Sequence, residues 1–261
     1  MQYDYIEVET HNHITQITLN RPEVMNALNP PMHDELEAAF NQCADDNQQY
    51  LGVIKGAGDR AFCAGSDLKA IAGAGRHAGY PPHGYAGLIE RFDLCKPLIA
   101  AVDGFALGGG FEIALACDII IATQRSSFGL PEPRVGAVAL GGGVHRLARQ
   151  IGLKQAMGMV LGAERVSAAD GWRMGFVTEV VEDGLLDQAV ANWCTKILAG
   201  APLAIQASKE AMLHGLDEES LAVAMSAQEH YPTFHRWRRS EDAKEGPRAF
   251  AEKRAPNWSG E

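Results

Sequence analysis

Residues 96–122, KPLIAAVDGFALGGGFEIALACDIIIA, decide the fold. They begin with an apolar run at 98–102 (LIAAV), whose small and β-branched residues predict a buried strand. Three consecutive glycines, Gly108 to Gly110, then lead an apolar helix predicted to end near Asp118. IIIA at 119–122 predicts a further strand, so the stretch is a strand–helix–strand crossover unit. The glycines let backbone approach a ligand closely, and the first N–H groups of a helix lack intrahelical partners. With the positive end of the helix dipole behind them, those donors suit a developing oxyanion. Glu112 falls in the first turn, and Glu132 follows twenty residues later in SFGLPEPRVG at 127–136. An anion hole and two carboxylates can polarise a carbonyl and move protons beside it. The stretch that sets the fold therefore also reads as an enzyme active site.

The same alternation continues on the N-terminal side. ITQITLN at 14–20 alternates apolar and polar residues as a half-buried strand does. Asn29 followed by Pro30 and Pro31 predicts a helix start, and Met32, Leu36, Phe40 and Cys43 then recur at helical spacing. LGVIK at 51–55 predicts another buried strand. From about Gly184 the pattern turns helical, over 185–198, 202–213 and 217–230, with a charged final helix over 241–254. An α/β body with a helical C-terminal third is the expected architecture. The Gly-, Pro- and His-rich stretch 73–87 (GAGRHAGYPPHGYAG) predicts a mobile loop of the kind that borders binding sites.

At 261 residues, 46% hydrophobic and 21% charged, the chain can bury one sizeable core. The formal net charge of −10 argues against nucleic acid and anionic membranes as partners. Five widely spaced cysteines without a CxxC pair are expected to be reduced core residues of a cytoplasmic protein. The polar, acidic start MQYDYIEVETHNH resembles neither a signal nor a transit peptide. No uncharged apolar run approaches the ~18–20 residues of a spanning helix.

Other motifs are weaker. Gly56 to Ala61 fits GxGxxA after a strand, but AFCAGSD follows where a dinucleotide fold requires a helix, and no acidic residue stands near position 76. A Walker sequence and a GxSxG elbow are absent. AFCAGSD at 61–67 reads either as a tight loop or as a turn presenting the Ser66 N–H; a nucleophilic Ser66 hydroxyl would require a positioned base. The histidines, including His11/His13 and His230/His235, form no ligand frame with a third donor, so no metal is expected. Glu112 reads either as a solvated residue or, between Phe111 and Ile113, as a carboxylate with a perturbed pKa. Glu132, flanked by Pro131 and Pro133, reads as a turn residue or as a carboxylate held in a fixed direction.

At these residues the chain resembles the crotonase superfamily, the enoyl-CoA hydratase/isomerase family. The resemblance runs through LNRPEVMNAL (19–28), AFCAGSDLK (61–69), KPLIAAVDGFALGGGFEIALACD (96–118), FGLPEPRVG (128–136), GGGVHRLARQIG (141–152) and SEDAKEGPRAFAEKR (240–254). It implies a crotonase-like ββα spiral core over 1–195 and a helical C-terminal trimerisation region over 196–261. A homotrimer or a dimer of trimers is the implied assembly.

The family's chemistry implies an acyl-CoA substrate, with coenzyme A part of the substrate and no further cofactor. The resemblance puts the oxyanion donors at the N–H groups of Ser66 and Gly109. It makes Glu112 the base that activates water and Glu132 the group that exchanges a proton at Cα. Val24, Ala64 and Leu68 would line the CoA path, with Lys69 and a neighbouring subunit's Lys253 as phosphate partners. The implied reaction is reversible addition of water to a trans-2-enoyl-CoA. Pro133-Arg134 after the second glutamate and the segment AVALGGGVHRL depart from the common hydratases. They keep a carnitinyl-CoA dehydratase-like activity open beside a Δ3,Δ2-enoyl-CoA isomerase, which requires only one base.

Overall fold

The computed structural model describes residues 3–70 and 79–261. Among the described residues ten strands form two sheets. The larger holds β1 (Ile6–His11), β2 (Ile14–Leu19), β3 (Leu51–Gly56), β5 (Leu98–Val102), β7 (Ile119–Thr123) and β10 (Glu179–Val181), in that order across the sheet. The smaller holds β4 (Ala61–Cys63), β6 (Phe105–Leu107), β8 (Ser127–Gly129) and β9 (Arg165–Ser167). Among the described residues only β1–β2 and β8–β9 pair antiparallel, and the other pairings are parallel. Along the chain, β3/β4, β5/β6 and β7/β8 each place one strand in the large sheet and the next in the small one. The chain therefore winds in successive strand–strand turns, and the fold is mixed α/β as the sequence predicts.

Helices fill the turns and both faces: α1 (Pro30–Asp45), α2 (Gly109–Ala116), α3 (Gly143–Gln150), α4 (Leu153–Gly162), α5 (Ala168–Met174) and α6 (Leu186–Leu198). The start of α1 is the predicted one: the Asn29 side chain accepts the Met32 N–H at 3.1 Å, and Pro30 and Pro31 occupy positions whose N–H groups need no helical partner. The central strands β3, β5 and β7 are mainly apolar because both faces are covered there, whereas the edge strand β1 (IEVETH) is largely exposed. Ile54, Ala100, Val102, Ile120 and Ala122 face the main core. Leu51, Val53, Ile99, Ala101 and Ile121 face a second cluster against Ala189, Val190 and Cys194 of α6.

The C-terminal part continues with α7 (Pro202–Gly215), α8 (Leu221–Ala227), α9 (Pro232–Arg239) and α10 (Asp242–Glu252). Several boundaries differ from the predicted ones. The glycine-led helix stops at Ala116, two residues early, because Asp118 turns back to accept the Leu98 N–H at 2.7 Å and pairs with Lys209. The helix predicted over 217–230 begins only at Leu221, where the Ser220 hydroxyl caps it. Helical structure also starts well before Gly184, in α3 to α5, and α9 was not anticipated. Nor was β1, which joins β2 through Asn12 and His13, both at positive φ, the twist a two-residue hairpin loop requires.

Of the predicted loop 73–87, residues 73–78 lie outside the described residues, and the remainder contains a short 3-10 turn at Tyr85–Gly87. After Gly56 the chain enters β4 rather than a helix, as the argument against a dinucleotide site requires. Four of the five free cysteines are buried; Cys95 departs from the expected core position and is half-exposed. No helix among the described residues is long and apolar enough to cross a membrane.

Candidate active site

Two motif segments are stitched together before either reaches the site. Asn26, fully buried, donates through its amide to the carbonyls of Ala57 (2.9 Å) and Ala61 (2.8 Å) and accepts the Arg21 N–H at 2.9 Å. Arg21 in turn pairs with Asp67 at 3.1 Å. The Ala70 N–H and the Arg21 guanidinium together hold the Asp67 carboxyl below its ordinary range. Leu28 and Ser66 form a parallel bridge, with Leu28 N–H donating to the Gly65 carbonyl and Asp67 N–H to the Leu28 carbonyl, each at 2.8 Å. This lattice fixes the turn 64–67 in space.

That turn lies against the start of α2. A Cβ on Gly65 would stand 3.1 Å from the Gly109 nitrogen, so the Ser66 segment and the first helical residue are neighbours. Gly108 takes a positive φ of 54° just before the helix, with the Glu132 Oε1 oxygen 2.9 Å from where its Cβ would be. A Cβ on Gly110 would overlap the Cys63 carbonyl, so the glycines seat the helix start on β4. Burial pushes the Cys63 thiol up to about 12, leaving it an inert packing group. As the first residue of α2, Gly109 has an N–H with no intrahelical partner. The structure thus brings Ser66 and Gly109 together.

Glu112 is buried on α2, beside a Phe111–Phe128–Phe176 cluster with ring centroids 5.1–5.3 Å apart. Its Oε1 accepts the Gly143 N–H at 2.9 Å, at the start of α3. A Cβ on Gly141 would overlap Oε2, so the second glycine segment is a cradle for this carboxylate. Burial pushes the Glu112 carboxyl up to about 7; the Gly143 N–H opposes the rise and the Glu132 charge adds to it. Glu132 stands on a four-residue 3-10 turn, Glu132–Val135. Its own pKa is also raised by burial, and its Oε2 is buried without a hydrogen-bond partner among the described residues. Both carboxyls are raised by burial, and the Glu132 charge raises Glu112 further, so the two stand beside the start of α2 with their ionisation disfavoured.

The residues expected along the CoA path divide into two groups. Val24 ends a 3-10 turn, and the Ala64 N–H donates to the carbonyl of the next residue, Met25, at 3.0 Å, so the segments that carry them are joined. Leu68 and Lys69 follow on the same segment, both exposed. Lys253 is exposed at the C-terminus of α10, and among the described residues no hydrogen bond or ion pair joins it to them. Also among the described residues, no three His, Cys, Asp or Glu side chains gather as a metal-ligand group.

Sequence reasoning missed four contributors. Gly141 and Gly143 were read only as a variant segment, although glycines opening a helix are the signal that identified Gly109. Tyr85, buried, shares a hydrogen bond with the Ser66 hydroxyl at 3.1 Å. Arg146, on α3, donates to the Ile89 carbonyl at 2.7 Å and favours the ionised form of Glu112.

The sequence model described as enoyl-CoA hydratase/isomerase matches residues 9–261. A carnitinyl-CoA dehydratase of Salmonella typhi is 41% identical over 252 residues, covering 95% of each chain. Among solved structures, an enoyl-CoA hydratase from Mycobacterium tuberculosis H37Rv superposes with a TM-score of 0.91 at 37% identity, over 98% of this chain and 99% of that one. A carnitinyl-CoA hydratase from Mycobacterium avium is 41% identical with a TM-score of 0.77, over the whole of both chains.

Proposed function

The chain belongs to the enoyl-CoA hydratase/isomerase family, and from that premise we propose that it adds water reversibly across the Cα–Cβ bond of a 2-enoyl-CoA thioester. It is an enzyme of the hydro-lyase type. The observation that carries the reading is the pair of largely buried carboxylates, Glu112 and Glu132, each of raised pKa, beside the glycine-led start of α2.

In this mechanism the N–H groups of Ser66 and Gly109 receive the thioester oxygen, and preorganised donors there stabilise the enolate more than the ground state. Glu112, ionised, takes a proton from the bound water as its oxygen bonds to Cβ. Electron density moves through Cα onto the thioester oxygen. Glu132, protonated, delivers its proton to Cα as the enolate collapses. The two carboxylates thus exchange protonation states over one turnover, which their coupled titration favours. An isomerase requires one base and no water, and the second raised carboxylate counts against it. Val24, Ala64 and Leu68 would line the CoA path and Lys69 would meet its phosphates, with Lys253 of a neighbouring subunit as the other phosphate partner. No metal or redox cofactor has a part in the proposed steps.

A second acyl group has support of its own. Relatives at 41% identity carry the name carnitinyl-CoA dehydratase, and a solved relative at the same identity is called a carnitinyl-CoA hydratase. A 3-hydroxyacyl-CoA bearing a trimethylammonium group undergoes the same chemistry in the dehydrating direction.

The test is loss of the conjugated enoyl-thioester absorbance on adding crotonyl-CoA, run beside Glu112→Gln and Glu132→Gln. The reading expects turnover in the parent and a loss of ~10²–10⁴-fold in each variant. Turnover of carnitinyl-CoA alone would move the substrate and keep the mechanism. Absence of both turnover and CoA-ester binding would end the proposal.

A further inference from the structure

Tyr85 occupies a position that the proposed chemistry does not use. Its ring is 3% exposed, and its hydroxyl stands where the two halves of the anion hole meet. On one side it shares the 3.1 Å hydrogen bond with the Ser66 hydroxyl. On the other, a Cβ on Gly109 would overlap the phenol oxygen. One side chain therefore touches both residues whose N–H groups would hold the thioester oxygen.

The backbone that carries it is strained. Gly84, Ala86 and Gly87 have φ of 75°, 58° and 60°. Glycine accepts such angles, whereas at Ala86 the Cβ crowds the backbone and the conformation is strained. The conformation is held from outside. The Ala86 N–H donates to His33 Nδ1 of α1 at 3.0 Å, and Gly87 packs so closely on α1 that a Cβ would overlap the Glu37 backbone. The His33 ring also packs edge-on against the Tyr85 ring, with centroids 4.6 Å apart. Strain kept in place by tertiary contacts marks a residue whose position matters.

Building on the proposed anion hole, we infer that Tyr85 is its positioning residue: the phenol spaces the Ser66 segment from the start of α2, and the 84–87 turn aims it. Ser66 and Gly109 belong to different sheet turns, and an anion hole works only when its donors are held to within about 0.5 Å. The hydrogen bond fixes the Ser66 side, and contact with the Gly109 backbone fixes the other. Burial raises the Tyr85 pKa well above 10, so the group acts as a neutral spacer and not as a base. Removing its oxygen leaves the Ser66 hydroxyl unpaired and opens a gap beside the reacting oxygen.

The experiment compares the parent, Tyr85→Phe, Ser66→Ala and the double variant in three measurements. These are kcat and KM on crotonyl-CoA, the melting temperature, and the enolate absorbance of bound acetoacetyl-CoA, which reads the anion hole without turnover. Tyr85→Phe is expected to lower kcat about tenfold and to weaken the enolate band, with KM within about twofold and the melting temperature little changed. Ser66→Ala should reproduce part of that loss, and the double variant should be no worse than Tyr85→Phe, because both remove one interaction. An unchanged kcat and enolate band in Tyr85→Phe, or losses that multiply in the double variant, would overturn the inference. Losses that merely track the melting temperature would do the same. A parent with neither turnover nor an enolate band would instead strike the proposed function, and this inference with it.

Discussion

The Glu112 carboxylate and the Gly143 N–H, 31 residues apart in sequence, meet at 2.9 Å, so one helix presents its acid to the start of another. The contact allows a buried carboxylate to ionise near neutral pH instead of staying protonated. It holds only because the segment before α3 has no side chains where the carboxylate lies.

Gly141→Ala tests that cradle. The added methyl would overlap Glu112 Oε2, and Gly141 has no left-handed φ that would make alanine costly for other reasons. The carboxylate must move, and a displacement of about 1 Å at a reacting group costs on the order of a hundredfold. Steady-state kinetics on crotonyl-CoA should show that fall mainly in kcat, with circular dichroism unchanged.

Glu112 also makes stability depend on pH with a definite sign. Its carboxyl titrates near 4.5 unfolded and near 7 folded. Between those values the folded chain keeps a proton that the unfolded chain releases, so stability falls as pH rises from 4.5 through 7. The size of this contribution is about 3 kcal/mol, fully present below pH 4.5. Urea titrations of the parent and Glu112→Gln across that range should diverge by about this amount, the variant gaining on the parent as pH rises. A constant difference would show that Glu112 ionises normally. The same titration should raise kcat/KM with pH up to about 7, because the base must be ionised.

Asn26 carries a structural load that its place in a motif does not announce. Asn26→Ala would leave the Ala57 and Ala61 carbonyls and the Arg21 N–H without the amide that pairs them. At about 1–3 kcal/mol for each buried group left unsatisfied, the loss should be about 3 kcal/mol or more. Denaturant unfolding measures it directly. Activity at low temperature should fall as well, since the same amide anchors the Ser66 turn.

The C-terminal helices leave large apolar side chains bare: Leu216 is 82% and Phe250 87% exposed, with Leu221 and Met225 also uncovered. Such a surface fits the trimer or dimer of trimers that the family resemblance implies. Light scattering should give three or six protomers for the parent, and Leu216→Asp with Phe250→Asp should shift the mass toward one.

How much of this was legible in the sequence follows from the range of the interactions. The glycine-led start of α2 was readable because its signal is local, three glycines and a glutamate within five residues. The Asn29 cap and the apolar parallel strands were readable for the same reason. The cradle at Gly141 and Gly143 was not, because its meaning depends on a carboxylate 31 residues upstream. Tyr85 and His33 were lost among ordinary aromatic and polar residues; only the folded chain shows the strained turn that joins them. The helices after β8 lack so local a signal: the helix Leu153–Gly162 follows Gly152 with no side-chain cap and itself ends in glycine.

The two proposed bases stand on very different ground. Glu112 is buried on α2, whose Phe111 packs on Phe128 and Phe176, so changes to that helix would disturb the core. Glu132 stands on a four-residue turn, followed by six exposed residues at 133–138. Altered acyl specificity should therefore be easiest to select from libraries randomised over 133–138. That exposed stretch is expected to accept substitution while α2 keeps Glu112, the proposed water-activating base, in place, so one scaffold could be retargeted without being rebuilt.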